Sequence, residues 1–474
     1  MNNIIDMNDK EERKHFKLRN IIKYSPTQTL VLGFLAIIFL GASLLSLPIS
    51  TNNEVVTSFL DALFTSTSAV CITGLVVVNT LDHWSVFGQL VILVLIQIGA
   101  LGFMTFLALI FILIGRKTTL KERLVMKEAL NQNDMKGIAS LIKNIVKLTF
   151  IVELIGALVL SFVMVPEYGL INGMYKAVFH SISAFCNAGF DIIGKGSLIP
   201  YVSNIIVNIT ISILVVLGGL GFTVWTDLIT SIKSKLAGKY SFKIMLKKLT
   251  LHTKLVLIMT GVLIVFGTLF IYMYEYDNVQ TIANLTQQDK IISAIFQSIT
   301  TRTAGFNTIP LDTMNTATQI IMIILMFIGG SPAGTAGGIK TVTLVILILA
   351  VVSEIKGKEK VEVFNKTISN GAIKRALTVV VIGLTIVMAS TLMLTITEKF
   401  SFIEVLFESV SAFANVGLTL GITFGITAIG KIILITEMFI GRLGPMTIAI
   451  ALLLRNKNQK NNAINYPEEK IIVG

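Results

Sequence analysis

Four glycines stand at nearly equal intervals along the 474-residue chain: Gly74, Gly189, Gly305 and Gly417, separated by 115, 116 and 112 residues. Nine or ten residues before each lies a Phe-x-Ser triplet: Phe64-Thr65-Ser66, Phe179-His180-Ser181, Phe296-Gln297-Ser298 and Phe407-Glu408-Ser409. Glycine opens backbone angles closed to other residues, so a short run around it can turn several carbonyl oxygens the same way. Four such runs about one axis would offer a cation a cage of oxygens in place of its water shell. The runs are Ile72-Thr73-Gly74, Asn187-Ala188-Gly189, Thr303-Ala304-Gly305 and Asn415-Val416-Gly417. Other chemistry is poorly provided for. The four histidines, His15, His83, His180 and His252, have no HxxxH or HExxH spacing, and Cys71 and Cys186 make neither a CxxC site nor a disulfide framework. A lipid-acting membrane enzyme would need convergent catalytic groups that this pattern lacks.

The elements that hold these runs must be membrane elements. Hydrophobic residues make up 54 % of the chain and charged residues 14 %, the mean hydropathy is +0.81, and a soluble domain carries about 25 % charge. Eight segments are long and apolar enough to cross a bilayer core of about 30 Å: 28–48, 85–114, 142–165, 203–229, 251–274, 317–350, 375–397 and 427–454. Between each odd segment and the next lies a shorter, half-apolar stretch, at 57–75, 172–190, 288–306 and 401–418, that enters the membrane and returns. Re-entry requires the irregular backbone to be buried in protein or to line water. A second glycine cluster follows each run: Gly99 and Gly102, Gly218 and Gly221, Gly329 and Gly330, Gly441 and Gly444. The reading is an all-α integral membrane protein of four tandem helix, re-entrant pore helix, helix repeats, arranged with pseudo-fourfold symmetry around one ion pore. The boundaries are a tail over 1–27, repeats over 28–114, 115–230, 231–355 (its second helix broken) and 356–455, and a tail over 456–474. A short helix that enters and stops at mid-membrane aims the negative end of its dipole inward, and four would collect cations at one point.

The net charge of +12 follows topology. Of 39 Lys and Arg, 31 fall in the N-terminal tail, 115–148, 231–254, 355–375 and the C-terminal tail. The positive-inside rule then puts both termini in the cytoplasm and the four re-entrant stretches outside. Charges that track inner loops do not form the basic, aromatic-lined face of a nucleic-acid binder. The first apolar run, 30–47, is too long for a signal-peptide core and no cleavage site follows it, so it reads as a retained span.

Segment 317–350 exceeds one straight crossing and holds Gly329-Gly330-Ser331-Pro332-Ala333-Gly334-Thr335-Ala336-Gly337-Gly338. Proline and so many glycines cannot sustain a helix, so an irregular loop over 329–341 beside the pathway is expected to gate it. Lys340 and Arg442 are the costly residues at membrane depth. Arg442 is read as hydrogen-bonding loop carbonyls and repelling cations, or as pairing with Glu437 or a helix end. Lys340 is read as facing the loop, or as snorkelling to the inner interface. Arg302 is expected to brace the third run from outside, and Glu153 and Asp227 to serve helix packing. Broken helices also build ion sites in carriers, so the alternative is a secondary cation carrier with a broken-helix site; four same-direction repeats argue against inverted halves.

The runs 67–75 (Thr-Ser-Ala-Val-Cys-Ile-Thr-Gly-Leu), 300–307 (Thr-Thr-Arg-Thr-Ala-Gly-Phe-Asn) and 440–445 (Ile-Gly-Arg-Leu-Gly-Pro) resemble signatures of the Ktr/Trk/HKT superfamily of potassium transporters, over nearly the whole chain. With the first repeat starting by residue 28, the chain is more similar to KtrB-type subunits than to TrkH. The resemblance implies a potassium-selective translocating subunit, not an enzyme, because glycine in all four filter runs goes with potassium and serine in the first goes with sodium in some plant members. It further implies a gate at the loop and at the arginine matching Arg442, transported potassium with sodium dependence, a homodimer in membrane lipid, and a cytoplasmic KtrA-like nucleotide-binding ring. No glycine-rich nucleotide motif or organic cofactor is read on this chain. A bacterial plasma membrane fits the uncleaved first helix and basic inner loops.

Overall fold

A computed structural model of the chain describes residues 26–52, 57–102, 106, 138–194, 196–238, 241–332 and 334–448. Nearly all of the two expected tails, and the stretch 115–137, lie outside the described residues. The principal helices run in four triplets. The first holds α1 Pro26–Leu45, α2 Phe59–Cys71 and α3 Val86–Leu101. The second holds α4 Ile138–Tyr168, α5 Leu170–Phe185 and α6 Ile205–Gly219, continued by α7 Phe222–Leu236. The third holds α8 Leu251–Glu275, α9 Gln287–Thr300 and α10 Thr316–Phe327, continued by α11 Thr341–Ile355. The fourth holds α12 Asn370–Thr397, α13 Phe402–Ala414 and α14 Ala428–Leu443. A small antiparallel hairpin, β1 Val361–Val363 and β2 Lys366–Ile368, follows α11.

Helices over Thr27–Leu45, Ile142–Tyr168, Leu251–Glu275 and Asn370–Thr397 are uninterrupted and long and apolar enough to cross a bilayer, and α6 with α7 makes a fifth if the bent pair is one span. Their outward faces carry Phe162, Met273 and Ile396, each more than 70 % exposed. Aqueous surfaces do not tolerate apolar belts of that size, so the chain is a multi-pass membrane protein.

The expectation that only one second helix is broken needs correction, because among the described residues the second helix of every repeat ends or bends at a glycine. α3 stops at Leu101 before Gly102 (φ 78°), α14 stops at Leu443 before Gly444 (φ 86°), and α6 and α7 meet at 100° next to Gly221 (φ 91°). A left-handed residue ends an α-helix, and glycine adopts that conformation without a Cβ penalty. The glycine three residues earlier has a separate task. A β-carbon on Gly99, Gly218 or Gly441 would collide with the carbonyl oxygen of Val70, Phe185 or Phe413, in the last turn of the neighbouring short helix. Each pair thus brings a short helix close and then turns the chain.

The triplets close into a ring. In the first, second and fourth triplets the short helix packs against both long ones, in the third α9 packs against α8, and the second helix of each triplet also packs against the next short helix: α3 on α5, α6 on α9, α10 on α13, and α14 back on α2. Phe64, Phe179, Phe296 and Phe407 sit at these junctions and are all buried. Lys431 of α14 pairs with Asp61 of α2 across the last seam. The ends where the short helices begin are held by carboxylates. Glu275, fully buried, accepts hydrogen bonds from Asn278 (2.7 Å), Thr281 (2.9 Å), the Asn315 amide (3.0 Å) and Thr318 (2.5 Å). Glu398 similarly accepts from the Thr427 hydroxyl at 2.6 Å. Removing a buried acceptor strands its donors, at about 1–3 kcal/mol or more. Glu275→Ala is therefore expected to lower the melting temperature of the detergent-purified protein by several degrees, whereas truncation of exposed Glu359 costs less; equal melting of the two would contradict the clamp.

Candidate ion-coordination site

The short helices start well and stop abruptly. Ser58 and Thr286 cap α2 and α9 by accepting from the amides of Asp61 and Asp289, and Ser401 with Glu404 forms a capping box on α13. These caps put hydroxyl and carboxylate oxygens at the positive ends. At the other ends Ile72 (φ 53°), Asn187 (φ 57°), Thr303 (φ 68°) and Asn415 (φ 53°) all adopt left-handed angles. That conformation is unfavourable for isoleucine and threonine, so the loop shape overrides local preference. Two residues later Gly74, Gly189, Gly305 and Gly417 are left-handed as well, with φ of 90°, 69°, 83° and 89°.

These glycines converge cyclically. A β-carbon on Gly74 would lie 2.5 Å from the carbonyl oxygen of Ala188; on Gly189, 2.9 Å from that of Ala304; on Gly305, 2.8 Å from that of Val416. On Gly417 it would collide with the carbonyl oxygen of Thr73, completing the circle. The structure thus brings together all four runs singled out in the sequence, Ile72 to Gly74, Asn187 to Gly189, Thr303 to Gly305 and Asn415 to Gly417. All twelve residues are buried.

A second hydroxyl on each short helix, four residues after the phenylalanine, pins the loop. Ser68 and Ser411 accept from the amides of Gly74 (3.0 Å) and Gly417 (3.1 Å). Ser183 and Thr300 donate to the carbonyls of Phe190 (2.7 Å) and Phe306 (2.6 Å). In the sequence these four stand out as a Ser or Thr two residues after each triplet, but their role in pinning the loop was not assigned there. Asn187 and Asn415 are candidates whose side chains do not face the axis. The Asn415 amide nitrogen donates to Met438 O (2.9 Å) and to the Thr73 hydroxyl (3.0 Å). The Asn187 nitrogen, turned the same way, lies 3.1 Å from Val215 O and Ala184 O. Both tie the loop to the helix behind it, leaving the backbone to face inward.

Beyond the glycine circle, on the C-terminal side of the short helices, α10 and α11 are separated by the expected irregular loop. Ser331 N and Thr335 N donate to Gly219 O (3.0 Å) and Gly218 O (3.3 Å), and Thr341 N to Gly330 O (3.0 Å). A β-carbon on Gly337 would meet Ala414 O and Asn415 Oδ1, one on Gly334 would meet Gly221 N, one on Gly329 would collide with Gly337 O, and one on Gly338 would lie 3.2 Å from the Ala414 side chain. Pro332 sits at the turn of this loop. The loop therefore reaches from the third repeat to the second and the fourth, against the base of the glycine circle. Arg442 donates from its two terminal nitrogens to Thr335 O and Gly99 O, joining the loop to the first repeat. It does not pair with Glu437, which accepts from Ser409. Lys340 does not snorkel; its ammonium donates to Ala336 O (2.6 Å) and Gly337 O (3.4 Å) and caps the loop.

Arg302 is buried within the turn after α9, with its Nε lacking a partner, rather than bracing the loop from outside. Glu153 accepts from Gln97 Nε2 (3.1 Å) and stands beside the Cys186 thiol. Asp227 accepts from the Thr250 amide (3.0 Å) and the Thr253 hydroxyl (2.6 Å). Cys71 and Cys186 are free and buried.

The circle makes a stability prediction that separates crowding from backbone strain. Gly305 and Gly421 are both left-handed, but a β-carbon on Gly421 (φ 96°) would have nothing within 4 Å. Gly305→Ala is expected to lose about 1–3 kcal/mol more than Gly421→Ala, the usual range for overpacking, read as a difference in thermal melting.

The family model for the TrkH cation transport proteins matches residues 12–463. Ktr system potassium uptake protein B of Bacillus subtilis is 41 % identical over 453 residues, covering 96 % of this chain and 98 % of that protein. Potassium/sodium uptake protein NtpJ of Enterococcus hirae is 40 % identical over 456 residues, covering 95 % and 98 %. The crystal structure of the potassium transporter TrkH from Vibrio parahaemolyticus superposes with a TM-score of 0.72 at 18 % identity, covering 91 % of this chain and 86 % of that one. With its helical ring, its apolar belt and a family model spanning nearly all of its length, the chain belongs to the TrkH family of cation transport proteins and is not an enzyme.

Proposed function

We propose that the chain is the potassium-selective translocating subunit of a Ktr-type uptake system. The observation that carries this is the cyclic meeting of four glycine runs at the C-terminal ends of four buried short helices. Four helix dipoles end there with their negative poles inward, and backbone oxygens are the groups that replace a potassium ion's water. The twelve residues from Ile72–Gly74, Asn187–Gly189, Thr303–Gly305 and Asn415–Gly417 form the filter. The serine and threonine pins fix loop geometry, so that the cage does not collapse onto a smaller ion. Support also comes from relatives named for potassium uptake. The name of the Enterococcus relative also includes sodium, and sodium dependence is part of the proposal.

The loop from Gly329 to Lys340 is the gate in this reading. Lys340 and Arg442 place two cationic groups beside the path, and Arg442 holds the loop through two carbonyls in different repeats. Opening requires Arg442 to release Thr335 and Gly99 and the loop to withdraw. The remaining elements of the proposal are four repeats with the boundaries given above, both termini in the cytoplasm of a bacterial plasma membrane, a homodimer in the lipid, and a cytoplasmic KtrA-like nucleotide-binding ring.

The test is potassium uptake, with sodium as competitor, in a potassium-uptake-deficient bacterial strain expressing the chain with and without a KtrA-type partner. Potassium-selective rescue strengthened by the partner is expected; sodium uptake with equal preference would overturn the filter assignment. Gly74→Ser should reduce potassium-over-sodium discrimination by on the order of tenfold, since about 1.4 kcal/mol of altered coordination suffices. Unchanged competition curves would sink that role for the first run. Arg442→Gln loses at least one charge-assisted hydrogen bond of about 1.5–3 kcal/mol and should raise basal potassium flux on the order of tenfold. A proteoliposome flux assay without the partner reads it, and reduced flux would refute the clamp.

A further inference from the structure

The fourfold correspondence extends one layer outward, and there it breaks. In three repeats the serine of the Phe-x-Ser triplet donates to a carbonyl of the first helix: Ser66 to Ile38 (2.7 Å), Ser181 to Glu153 (2.6 Å) and Ser298 to Ile264 (2.9 Å). Three residues beyond that carbonyl stands glycine: Gly41, Gly156 or Gly267. A β-carbon on any of them would run into the serine hydroxyl and into Leu95, Leu214 or Leu325 of the second helix. The packing solution is thus Gly, Ser and Leu, three times. In the fourth repeat Ser409 reaches Val387 O at 3.3 Å, but the glycine position is Ser390 and the leucine position is Glu437.

Glu437 is 1 % exposed. Its Oε1 accepts from Ser409 (2.7 Å), the Ser390 hydroxyl lies beside the same carboxylate, and Oε2 has no hydrogen-bond partner. The charged neighbour of this carboxylate is another acid, Glu408, and no described Lys or Arg pairs with it. Packing does not call for this arrangement, since three repeats fill the same space with apolar groups. A buried carboxylate with a vacant oxygen is costly. Protonation at Oε1, with Ser409 Oγ as acceptor, would lower the charge but leave Oε2 without a partner, so it would not satisfy both oxygens. A bound cation would. The available oxygens, one carboxylate, two hydroxyls and the Val387 carbonyl, are hard ligands. Among these ligands Glu437 alone carries charge, which a monovalent ion balances, and both oxygens of the neighbouring Glu408 are already taken by Thr419 and Thr423.

We propose that Glu437, Ser390 and Ser409 form an off-axis site for a small monovalent cation of sodium size, separate from the glycine circle. Ser409 lies two residues before Ser411, which pins the Gly417 loop, and Glu437 lies five residues before Arg442 on one helix. Occupancy would therefore fix the fourth loop and the loop-holding arginine relative to one another. The site's effect on transport rests on the potassium-uptake reading; its existence does not.

The test uses the full chain in mild detergent at saturating potassium, melted in increasing sodium chloride or in N-methylglucamine chloride at equal ionic strength. Sodium is expected to raise the melting temperature of the unaltered protein above that of the matched control. The double substitution Ser390→Gly and Glu437→Leu, which rebuilds the combination found in the other repeats, should remove that shift while eluting as a folded species. Glu437→Gln should raise the sodium concentration needed at least tenfold. No sodium-specific shift in the unaltered protein, or a shift that persists in the double variant, would overturn the proposal. So would a shift produced by pH alone, without sodium, that Glu437→Gln abolishes. A sodium shift in a protein that fails to rescue potassium uptake would count against the uptake reading only.

Discussion

Backbone meets backbone throughout this molecule, and the absence of β-carbons is the constraint on which everything else depends. Gly74, Gly189, Gly305 and Gly417 each stand where a carbonyl of the adjacent run occupies the space of a side chain. Gly99, Gly218 and Gly441 do the same one layer out, letting short helices approach long ones. Such proximity is favourable in a membrane, where helix association depends on close packing rather than on expulsion of water. It also fixes the cyclic arrangement, because each approach joins one repeat to another.

The polar groups fall into place around that constraint. Hydroxyls at matching positions hold the loops, Asn187 and Asn415 anchor loop bases to the helices behind them, and Glu275 and Glu398 close the rims where short helices begin. In a low-dielectric interior each of these bonds is costly to leave unmade. A loop built this way is stiff, and stiffness is what allows a cage of oxygens to distinguish ions by size under the proposed filter reading.

Much of this was legible in the sequence. The glycine intervals and the Phe-x-Ser triplets identified the four short helices to within a few residues, because a glycine demanded by backbone crowding has few substitutes. The break near Gly329 was legible too, since proline and glycine in an apolar run have a direct steric meaning. The interruptions at Gly102, Gly221 and Gly444 were not foreseen, because a lone glycine inside a hydrophobic stretch reads equally as a packing contact; only its left-handed angle marks the turn. The partners of Arg442 were likewise hidden, because carbonyls 107 and 343 residues away leave no trace in side-chain identity. Lys340 was open between two readings until its bonds to Ala336 and Gly337 settled the matter.

Among the described residues, only the third repeat sends a long irregular segment from its broken helix toward its neighbours, where it touches the second and fourth repeats and, through Arg442, the first. An assembly of four identical chains could not do this, since any segment laid across a rotation axis would be copied fourfold into the same volume. Joining the four units in one polypeptide frees each to diverge, so a single loop can lie against the glycine circle while the circle keeps its near-symmetric form.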